Sequence, residues 1–480
     1  MPSARTPEGA PLLILGGGPA GLAAGLEAAR RGLRPLVVEA GEVVGGVSSS
    51  LYWNRFILEY GPHTYHVKHD RIDDLVREVY GGDLPYKQRI TRMLLRGKMF
   101  DYPLKFWQLL RGLNPFFSAR MLLDFVFTSI RYRIFPRPDD SFRTWGVKRF
   151  GTTLYNLCFG RYTERIWGVP ADRLSVRLAS SKLHKLNLKD VIVKLLGGKG
   201  QEQATYWEDF LYPEEGMGIV FEKMAAEIVR LGGEVWLDSR PSAFVFDGSR
   251  IASVKIDRAG GPAEVPVSAV VSTIPLPALG LLVRGKVPED AYRASQALAS
   301  RSLVLVNLIV RMPMVSEAHW VYLLDPRFRF NRFCEQKNLL LEKKPPLETM
   351  LTFEACCGYR DEFWNLPDSA LVKLALEDIG RIERIDGSRV TETLVRRVKD
   401  AYPVYGVGFE GELERFFIGA AGIDNLYPTG RQGLFLNTDM HDTMELGLLA
   451  VEAIADGVPG RDWYGRIVSW LPYAPPEEER

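Results

Sequence analysis

The chain has 480 residues, more than one hydrophobic core usually serves, so we expect two or three domains. Sixty-one Lys and Arg against 59 Asp and Glu give a net charge of +2, so no global field would attract nucleic acid. The four cysteines lack metal-ligand spacing and fit reduced thiols in a cytoplasmic protein. We expect neither a signal peptide nor a transmembrane helix, and the oligomeric state is left open.

The first elements in chain order form a predicted βαβ unit. Residues 12–15 are predicted to be a buried parallel strand, followed by a glycine-rich turn and a helix, and residues 36–39 a second strand. Gly16, Gly18 and Gly21 form G-x-G-x-x-G. These glycines allow a tight turn, the approach of a pyrophosphate to the backbone, and close helix–strand packing. The helix N-terminus would supply N–H groups to the phosphates.

An acid and a pair of adjacent glycines that follow this motif indicate which dinucleotide is bound. Glu39 lies eighteen residues after Gly21 at the end of the second strand, where a carboxylate can accept a hydrogen bond from a ribose hydroxyl. Gly45 and Gly46 follow, and they would let the chain pass close to a bulky group beyond the pyrophosphate, such as a flavin. Because no second G-x-G-x-x-G serves a nicotinamide, the sequence predicts one FAD.

The central part of the chain alternates between helical and strand patterns. Helical patterns cover residues 102–135, which are strongly aromatic, and residues 144–155 and 177–196. Short strands are predicted at 234–237, 244–246, 253–256 and 267–272, and an antiparallel sheet from 302–312, 320–324 and 350–355. A last helix is predicted over 440–455. Since the first strand and the last helix belong to one domain, the other domain must be inserted in pieces.

Several motifs carry a resemblance to a known group of enzymes. They are the N-terminal glycines with Glu39, Gly61-Pro62-His63, YTERIWG at 162–168, YPEEGMG at 212–218, and Gly430-Arg431 followed after seven residues by Asp439-Met440. Together they resemble the FAD-binding superfamily of amine oxidases, protoporphyrinogen oxidases, carotenoid desaturases and UDP-galactopyranose mutases. The last four motifs are most similar to the mutases.

The resemblance implies roles for particular residues. His63, on the turn that begins at Gly61, would lie against the flavin near N5, and Trp167 would flank a sugar pocket. Arg431, which follows Gly430, would hold the diphosphate of the substrate. Asp439 and Met440 would open the last helix, whose amides face the flavin pyrimidine oxygen and stabilise negative charge there. In the mutases the reduced flavin N5 acts as a nucleophile on the sugar.

Two features depart from the mutase pattern. Asn437 stands where the mutases carry a tyrosine that touches the diphosphate, and VVSTIPLPA at 270–278 resembles the oxidase and desaturase branch. The sequence therefore supports two hypotheses. The preferred one is a mutase-like isomerase acting on a nucleotide-linked sugar, and the alternative is an FAD-dependent oxidase or dehydrogenase acting on an amine, porphyrinogen or polyprenoid.

Further candidates for substrate contact are His66, Arg301 and Tyr402, the last of which is equally typical of an ordinary turn residue. His63, His66 and His69 recur at every third position, but Gly61-Pro62 breaks a helix there, and an extended chain would alternate their sides. We therefore predict no metal site. His69 is expected to be a solvated residue at the start of a helix, while His66 orients the turn or reaches the substrate.

The aromatic segment 105–137 has two interpretations. It carries six Lys and Arg against one acid, Asp124, which is typical of an interfacial membrane helix and would make the protein peripheral to a membrane. The alternative, which we favour, is a helical cap whose aromatic residues pack over the pocket.

The predicted fold class is α/β, with a Rossmann-type FAD-binding domain, an inserted mixed-sheet substrate domain and a helical cap. We assign 1–75, 212–285 and 400–460 to the discontinuous FAD-binding domain, 76–211 to the cap, and 286–399 to the substrate domain with its antiparallel sheet.

Overall fold

The computed structural model describes residues 9–102, 106–182, 209–382 and 385–468. The strands in these ranges are β1 Leu12–Leu15, β2 Pro35–Val38, β3 Ser50–Trp53, β4 Phe56–Glu59, β5 Tyr86–Gln88, β6 Thr91–Leu95, β7 Lys98–Asp101, β8 Asp209–Leu211, β9 Glu234–Trp236, β10 Ser239–Asp247, β11 Arg250–Arg258, β12 Ala263–Pro266, β13 Ala269–Ser272, β14 Ser300–Val310, β15 Trp320–Leu323, β16 Arg332–Glu335, β17 Thr349–Cys357, β18 Val390–Pro403 and β19 Leu426–Pro428. The helices are α1 Pro19–Arg30, α2 Asp70–Tyr80, α3 Phe106–Gly112, α4 Pro115–Ile134, α5 Phe142–Tyr155, α6 Arg161–Trp167, α7 Arg177–Lys182, α8 Gly218–Arg230, α9 Leu276–Leu282, α10 Glu289–Ala297, α11 Asp368–Ile379, α12 Phe409–Ala420, α13 Gly430–Gly433, α14 Met440–Ala455 and α15 Gly460–Ile467. The predicted helix over 177–196 is seen as α7, and its remainder lies outside the described residues.

A five-stranded parallel sheet forms the first layer, in the order β19-β13-β1-β2-β9. All four residues of β1 are buried, as expected for a central parallel strand covered on both faces. Helix α1 returns the chain from β1 to β2, and α14 packs on α1. The α/β fold class and the first βαβ unit are confirmed, and the carboxyl ends of β1 and β2 lead directly into Gly16 and Glu39.

A seven-stranded sheet forms the second layer, in the order β18-β14-β17-β16-β15-β6-β7. Its pairs are antiparallel except β15–β6, so the sheet is mixed. The sheet contains the strands predicted between residues 302 and 355. It also takes in the hairpin β6–β7, which the sequence placed within the helical cap, and β18, which runs past the predicted boundary at 399. Both differences arise because strand pairing joins segments that are distant in sequence.

Smaller sheets complete the framework. Strands β10, β11 and β12 form an antiparallel three-stranded sheet, and the short strands predicted at 244–246 and 253–256 are parts of β10 and β11. The hairpin β3–β4 carries the chain from the first layer towards the turn at Gly61, and β5 pairs with β8.

Helices α3, α4 and α5 confirm the helical patterns predicted at 102–135 and 144–155, but the aromatic residues of α4 differ from the expected cap. In α4, Phe117 and Phe125 are partly buried against the core, whereas Phe116 and Phe127 are 87% and 67% exposed. The expectation that the aromatic residues of this segment pack over the pocket is therefore wrong for the outward face of α4. Lys105 and the side chains of Phe106 and Trp107 lie outside the described residues.

Candidate flavin and substrate site

The loop between β1 and α1 depends on three glycines. Gly16 has φ +103°, and a Cβ there would lie 2.2 Å from Thr273 Oγ1. A Cβ on Gly21 would lie 1.9 Å from the carbonyl oxygen of Gly16, so a side chain there would separate helix from strand. At Gly18, just before Pro19, a Cβ would meet no heavy atom within 4 Å. This open space beside the N-terminus of α1 fits a pyrophosphate that approaches the backbone.

Glu39 and the pair Gly45-Gly46 both contact the loop between β1 and α1. The Glu39 carboxylate accepts a hydrogen bond of 2.7 Å from the Gly17 backbone N–H and keeps further lone pairs for a ribose hydroxyl. The Gly45 N–H donates to the Gly17 carbonyl at 2.7 Å. A Cβ on Gly46 would lie 3.4 Å from Gly18 Cα. These residues therefore fit FAD, because a carboxylate and glycine backbone surround the space at Gly18.

The turn that carries His63 lies directly on a buried ion pair. Gly61 has φ +106°, and a Cβ there would lie 2.6 Å from Glu354 Oε2 and 2.9 Å from Arg332 Nη2. The ring Nδ1 of His63 lies 3.2 Å from the Gly61 carbonyl oxygen. Only glycine allows this turn to approach the sheet so closely.

The pair Arg332–Glu354 was missed by the sequence reasoning. Arg332 Nη2 lies 2.7 Å from Glu354 Oε2, and the two side chains are 17% and 5% exposed. Arg332 is directly opposite Glu354 on β17 and Tyr322 on β15, so the three side chains share one face of the sheet. The available signal was the presence of charged residues in two strands that are otherwise largely uncharged, Arg332 and Glu335 in RFCE and Glu354 in TMLTFEACC.

Arg431, Tyr402 and Trp167 form a second group beside this pair. The Arg431 guanidinium carbon lies 5.1 Å from the centre of the Tyr402 ring, and the Tyr402 and Trp167 rings meet edge to face at 6.3 Å. Within the described ranges, Arg431 has no ion pair with a carboxylate, and its buried Nε has no hydrogen-bond partner. Among the residues that the structure describes, Arg431 is therefore a cation without a carboxylate counterion. Trp167 is buried and packs in the main core.

The charges of the two groups act together on His63. Burial, followed by the positive charges of Arg332 and Arg431, lowers the pKa of His63 to about 3. The imidazole is therefore neutral at neutral pH, with one donor and one acceptor nitrogen. His63, Arg332 and Arg431 thus share one electropositive region, although they come from three separate parts of the chain.

The last long helix closes against the start of α1. A Cβ on Gly430 would lie 2.6 Å from Ala20 Cβ, and one on Gly447 would lie 2.2 Å from the Ala20 carbonyl oxygen. Asp439 is the N-cap of α14 and forms a reciprocal capping box with Asp442, so Met440 is the first helical residue, as predicted. The chain between Gly430 and Met440 is thereby held close to the dinucleotide loop.

His69 differs from its expected solvated state. Its Nε2 lies 3.1 Å from Asp442 Oδ1, and its ring lies 5.4 Å from that of the buried His441. Burial alone would raise the pKa of the Asp442 carboxyl. Hydrogen bonds from His441 and His69 outweigh burial and hold this pKa well below its usual range. The ligand atoms of these three residues lie within 4.8 Å of one another. The prediction that the chain binds no metal stays a prediction.

Two substrate candidates have structural partners. Both ring nitrogens of His66 have contacts, Nδ1 with the Asp209 carbonyl at 3.0 Å and Nε2 with Thr64 Oγ1 at 3.2 Å. Arg301 donates from Nε to the Ile166 carbonyl at 2.9 Å, at the end of α6. These bonds fix His66 in its turn and tie α6 to the sheet through Arg301.

Asn437 keeps one polar atom unpaired. Its Nδ2 donates to the Pro403 carbonyl at 3.2 Å, and its backbone N–H donates to the Tyr405 hydroxyl at 2.9 Å. Its Oδ1 is buried without a hydrogen-bond partner among the described residues. Asn437 therefore offers an acceptor where the mutase pattern has a phenol.

Comparison with known proteins agrees with this geometry. The sequence pattern of a family described as flavin containing amine oxidoreductase matches residues 19–455. A crystal structure of reduced UDP-galactopyranose mutase matches with a TM-score of 0.79 and 18% identity, covering 94% of each chain. A putative protoporphyrinogen oxidase from Exiguobacterium sp. 255-15 matches with a TM-score of 0.69 and 19% identity, covering 93% of this chain and 99% of the other.

A putrescine oxidase bound to putrescine matches with a TM-score of 0.62 and 16% identity, covering 93% of this chain and 99% of the other. Among curated protein sequences, none matches significantly. The glycine loop, Glu39 and the Gly45-Gly46 pair fit the cofactor, and the family pattern covers most of the chain. The protein therefore belongs to the flavin-containing amine oxidoreductase family and is an FAD-dependent enzyme.

Proposed function

We propose that the protein acts through flavin N5 on a nucleotide-linked sugar, as a mutase-like isomerase. The observation that carries the proposal is Arg431, a cation beside His63 and Tyr402 with no carboxylate partner in the described ranges. An arginine fork without a counterion suits a phosphate group, with which it forms charge-assisted hydrogen bonds. FAD, when reduced, supplies a nucleophilic nitrogen.

The charge of the site argues against an amine as the substrate. Arg332 and Arg431 both disfavour a proton on His63, and they would equally repel the ammonium form of an amine. Glu354 is already paired with Arg332 and does not offer a free counterion. An anionic substrate meets no such penalty. The diphosphate of a nucleotide sugar would therefore be held by Arg431, while Tyr402 and Trp167 offer rings that can lie along a sugar.

The neutral state of His63 fits a positioning role at the flavin. A neutral imidazole can donate from one nitrogen while the other accepts, without adding a third positive charge to the region. Its Nδ1 is turned towards the Gly61 carbonyl, which orients the ring. Under this proposal His63 holds the turn and a substrate or flavin atom in place.

An oxidase acting on a porphyrinogen is the second candidate, and one further observation favours it. The rings of Tyr102 and Tyr162 lie 5.2 and 6.1 Å from that of Tyr322, which is opposite Arg332 on the sheet. This aromatic surface next to a cation would also fit a large ring that bears carboxylates.

The purified flavoprotein, oxidised or reduced with dithionite, should be offered UDP-galactopyranose and UDP-galactofuranose, with products separated by chromatography. Ring-size interconversion in the reduced state alone supports the proposal. Peroxide release with a porphyrinogen and no sugar turnover would establish the second candidate instead.

Arg431→Gln should weaken UDP-sugar binding by about 2 kcal/mol, roughly thirtyfold, because a charge-assisted contact to phosphate is lost. Arg431→Lys should recover part of the affinity. The exposed Arg293→Gln is the matched control and should bind normally. Unchanged affinity in Arg431→Gln with a normal flavin content would remove Arg431 from the substrate site.

A further inference from the structure

The outward face of α4 is apolar along its whole length. The exposed side chains that form it are Phe116, Leu123, Val126, Phe127, Ile130 and Ile134. Successive side chains of this set are separated by seven, four, three and four residues at positions 116, 123, 127, 130 and 134. This spacing places them in one continuous stripe on a helix. Twenty residues give this stripe a length of about 30 Å.

The inward face of α4 is mixed, because Phe117 and Phe125 pack against the core beside polar residues. Ser118, Met121 and Thr128 are its fully buried residues, and Asp124 also faces inward. A helix normally turns its apolar stripe towards the core and its polar residues towards water. Here an apolar stripe is exposed, and it is continuous, unlike the single hydrophobic residues that are scattered over most protein surfaces. Such a patch marks an interaction surface.

The exposed charged residues between Phe116 and Arg137 are all positive. Arg120, Arg131, Arg133 and Arg137 are exposed, and within the described ranges none of them forms an ion pair. The single acid of the segment, Asp124, accepts a hydrogen bond of 2.6 Å from the Thr153 backbone N–H on α5, and so is turned towards α5 instead of the stripe. Arg120 and Arg133 are placed on opposite flanks of the stripe at 3.6 residues per turn.

The charge pattern selects the occupant of this face. A second copy of the chain, docked through the same face, would bring the arginines of both copies together without any acid between them. A bilayer with anionic lipids meets both requirements, since its acyl boundary accepts the apolar stripe and its phosphates accept guanidinium groups. None of the described helices is long and apolar enough to cross a membrane, so α4 would lie in the interface.

We propose that α4 is an interfacial anchor that binds the protein to the surface of an anionic membrane. The stripe Phe116–Ile134 lies in the boundary between headgroups and acyl chains, and the flanking arginines contact lipid phosphates. This inference is independent of the proposed reaction, because it uses no residue of the flavin or substrate site.

The test is flotation of the full-length holoprotein with vesicles of phosphatidylcholine, with and without phosphatidylglycerol. We expect binding to the vesicles that contain phosphatidylglycerol, and weaker binding at high salt because the arginine contribution is screened. The double variant Leu123→Ser/Phe127→Ser should lose at least about tenfold in vesicle affinity while it retains flavin, since it removes apolar area from the interface. Arg120→Gln/Arg133→Gln should lose the preference for phosphatidylglycerol.

The matched control is Leu347→Ser/Ile418→Ser, which removes two apolar side chains that are 72% and 67% exposed elsewhere on the surface. It should bind vesicles like the parent protein. If the parent protein does not float with anionic vesicles, or the α4 variants float equally well, the proposal is overturned. A dimer in light scattering that Leu123→Ser/Phe127→Ser dissociates, without vesicle binding, would assign the face to a second copy instead.

Discussion

The two halves of the candidate site are built in different ways. The dinucleotide half is made by glycines and one carboxylate within residues 16–46, where the side chain that is absent matters as much as the one present. The substrate half is made by charges from β16, β17 and α13, which only the fold brings to His63. The first half should therefore be sensitive to added volume, and the second to removed charge.

The largest effect is expected from added volume in the dinucleotide half. Gly21→Ala would place a methyl group 1.9 Å from the Gly16 carbonyl oxygen, so α1 must move away from β1. Overpacking of this kind costs about 1–3 kcal/mol or more, and we expect loss of bound flavin as well. The absorbance of flavin per protein and the midpoint of thermal unfolding measure the two effects.

Two further glycine variants separate strain from ligand exclusion. Gly18→Ala should fold normally but bind FAD weakly, because its Cβ enters space that the chain leaves open. Gly411→Ala, on the exposed side of α12, should leave the flavin content unchanged and raise the stability by up to about 1 kcal/mol, because alanine favours a helix over glycine. Normal flavin content in both Gly18→Ala and Gly21→Ala would show that the loop does not contact the pyrophosphate.

The next effect is expected from removed charge in the substrate half. Glu354→Gln would leave Arg332 buried without its carboxylate, at a cost of about 3 kcal/mol in the free energy of unfolding. Urea unfolding followed by tryptophan fluorescence measures it. Glu289→Gln removes the carboxylate of the exposed pair with Arg293 and should cost less than about 1 kcal/mol.

The double variant Arg332→Met/Glu354→Leu sharpens this prediction. Replacing both members of a buried pair by apolar residues is often neutral, so most of the lost stability should return, while substrate turnover should not. If Glu354→Gln is as stable as the parent protein, the buried Arg332 does not need the negative charge of Glu354 for the protein to be stable.

The smallest effect is a pH dependence at the junction of the two halves. Glu59 is fully buried, and its Oε1 accepts hydrogen bonds of 2.8 Å from Ser50 Oγ and the Met217 N–H. Burial raises its pKa to about 7 from the ordinary 4.5. Because the folded pKa is the higher one, the folded state binds a proton that the unfolded state releases. Its contribution to stability is therefore complete below about pH 4.5 and is lost as the pH rises through about 7.

Glu59→Gln imitates the protonated carboxyl and should not show this loss. Relative to the variant, the parent protein should lose up to about 3 kcal/mol of unfolding free energy between about pH 4.5 and about pH 8. Urea titrations at several pH values give the comparison, and exposed Glu222→Gln is the control. A parallel pH profile for Glu59→Gln and the parent would show that the Glu59 carboxyl is ionised in the folded protein.

The dinucleotide half could be predicted from the sequence, whereas the charges of the substrate half could not. The candidate cofactor residues Gly16, Gly18, Gly21 and Glu39 could be predicted because a dinucleotide loop is a local structure in which spacing along the chain sets the geometry. Arg332 and Glu354 are twenty-two residues apart, and only the register of β16 and β17 makes them a pair. A charged residue in an apolar strand signals something unusual, but the sequence does not name its partner.

Arg301 illustrates partners that the sequence does not reveal, and its role in substrate binding stays a prediction. The register places Arg301 opposite Tyr402, and its Nε and Nη2 donate to the carbonyls of Ile166 and Cys356. Whether an arginine is free for a substrate depends on the carbonyls that surround it, and these come from other elements. The same reasoning applies to His69, whose partner Asp442 lies on α14.

By itself, the amino-acid sequence determined the α/β class, the dinucleotide loop and the choice of FAD, because each depends on local periodicity and on where side chains are missing. The tertiary structure decided which charges face His63 and which face of α4 is exposed. Periodicity shows that a helix has an apolar stripe, but only packing shows whether the stripe is turned inward. In α1 the apolar side chains are buried between layers, whereas in α4 one stripe of them is turned outward.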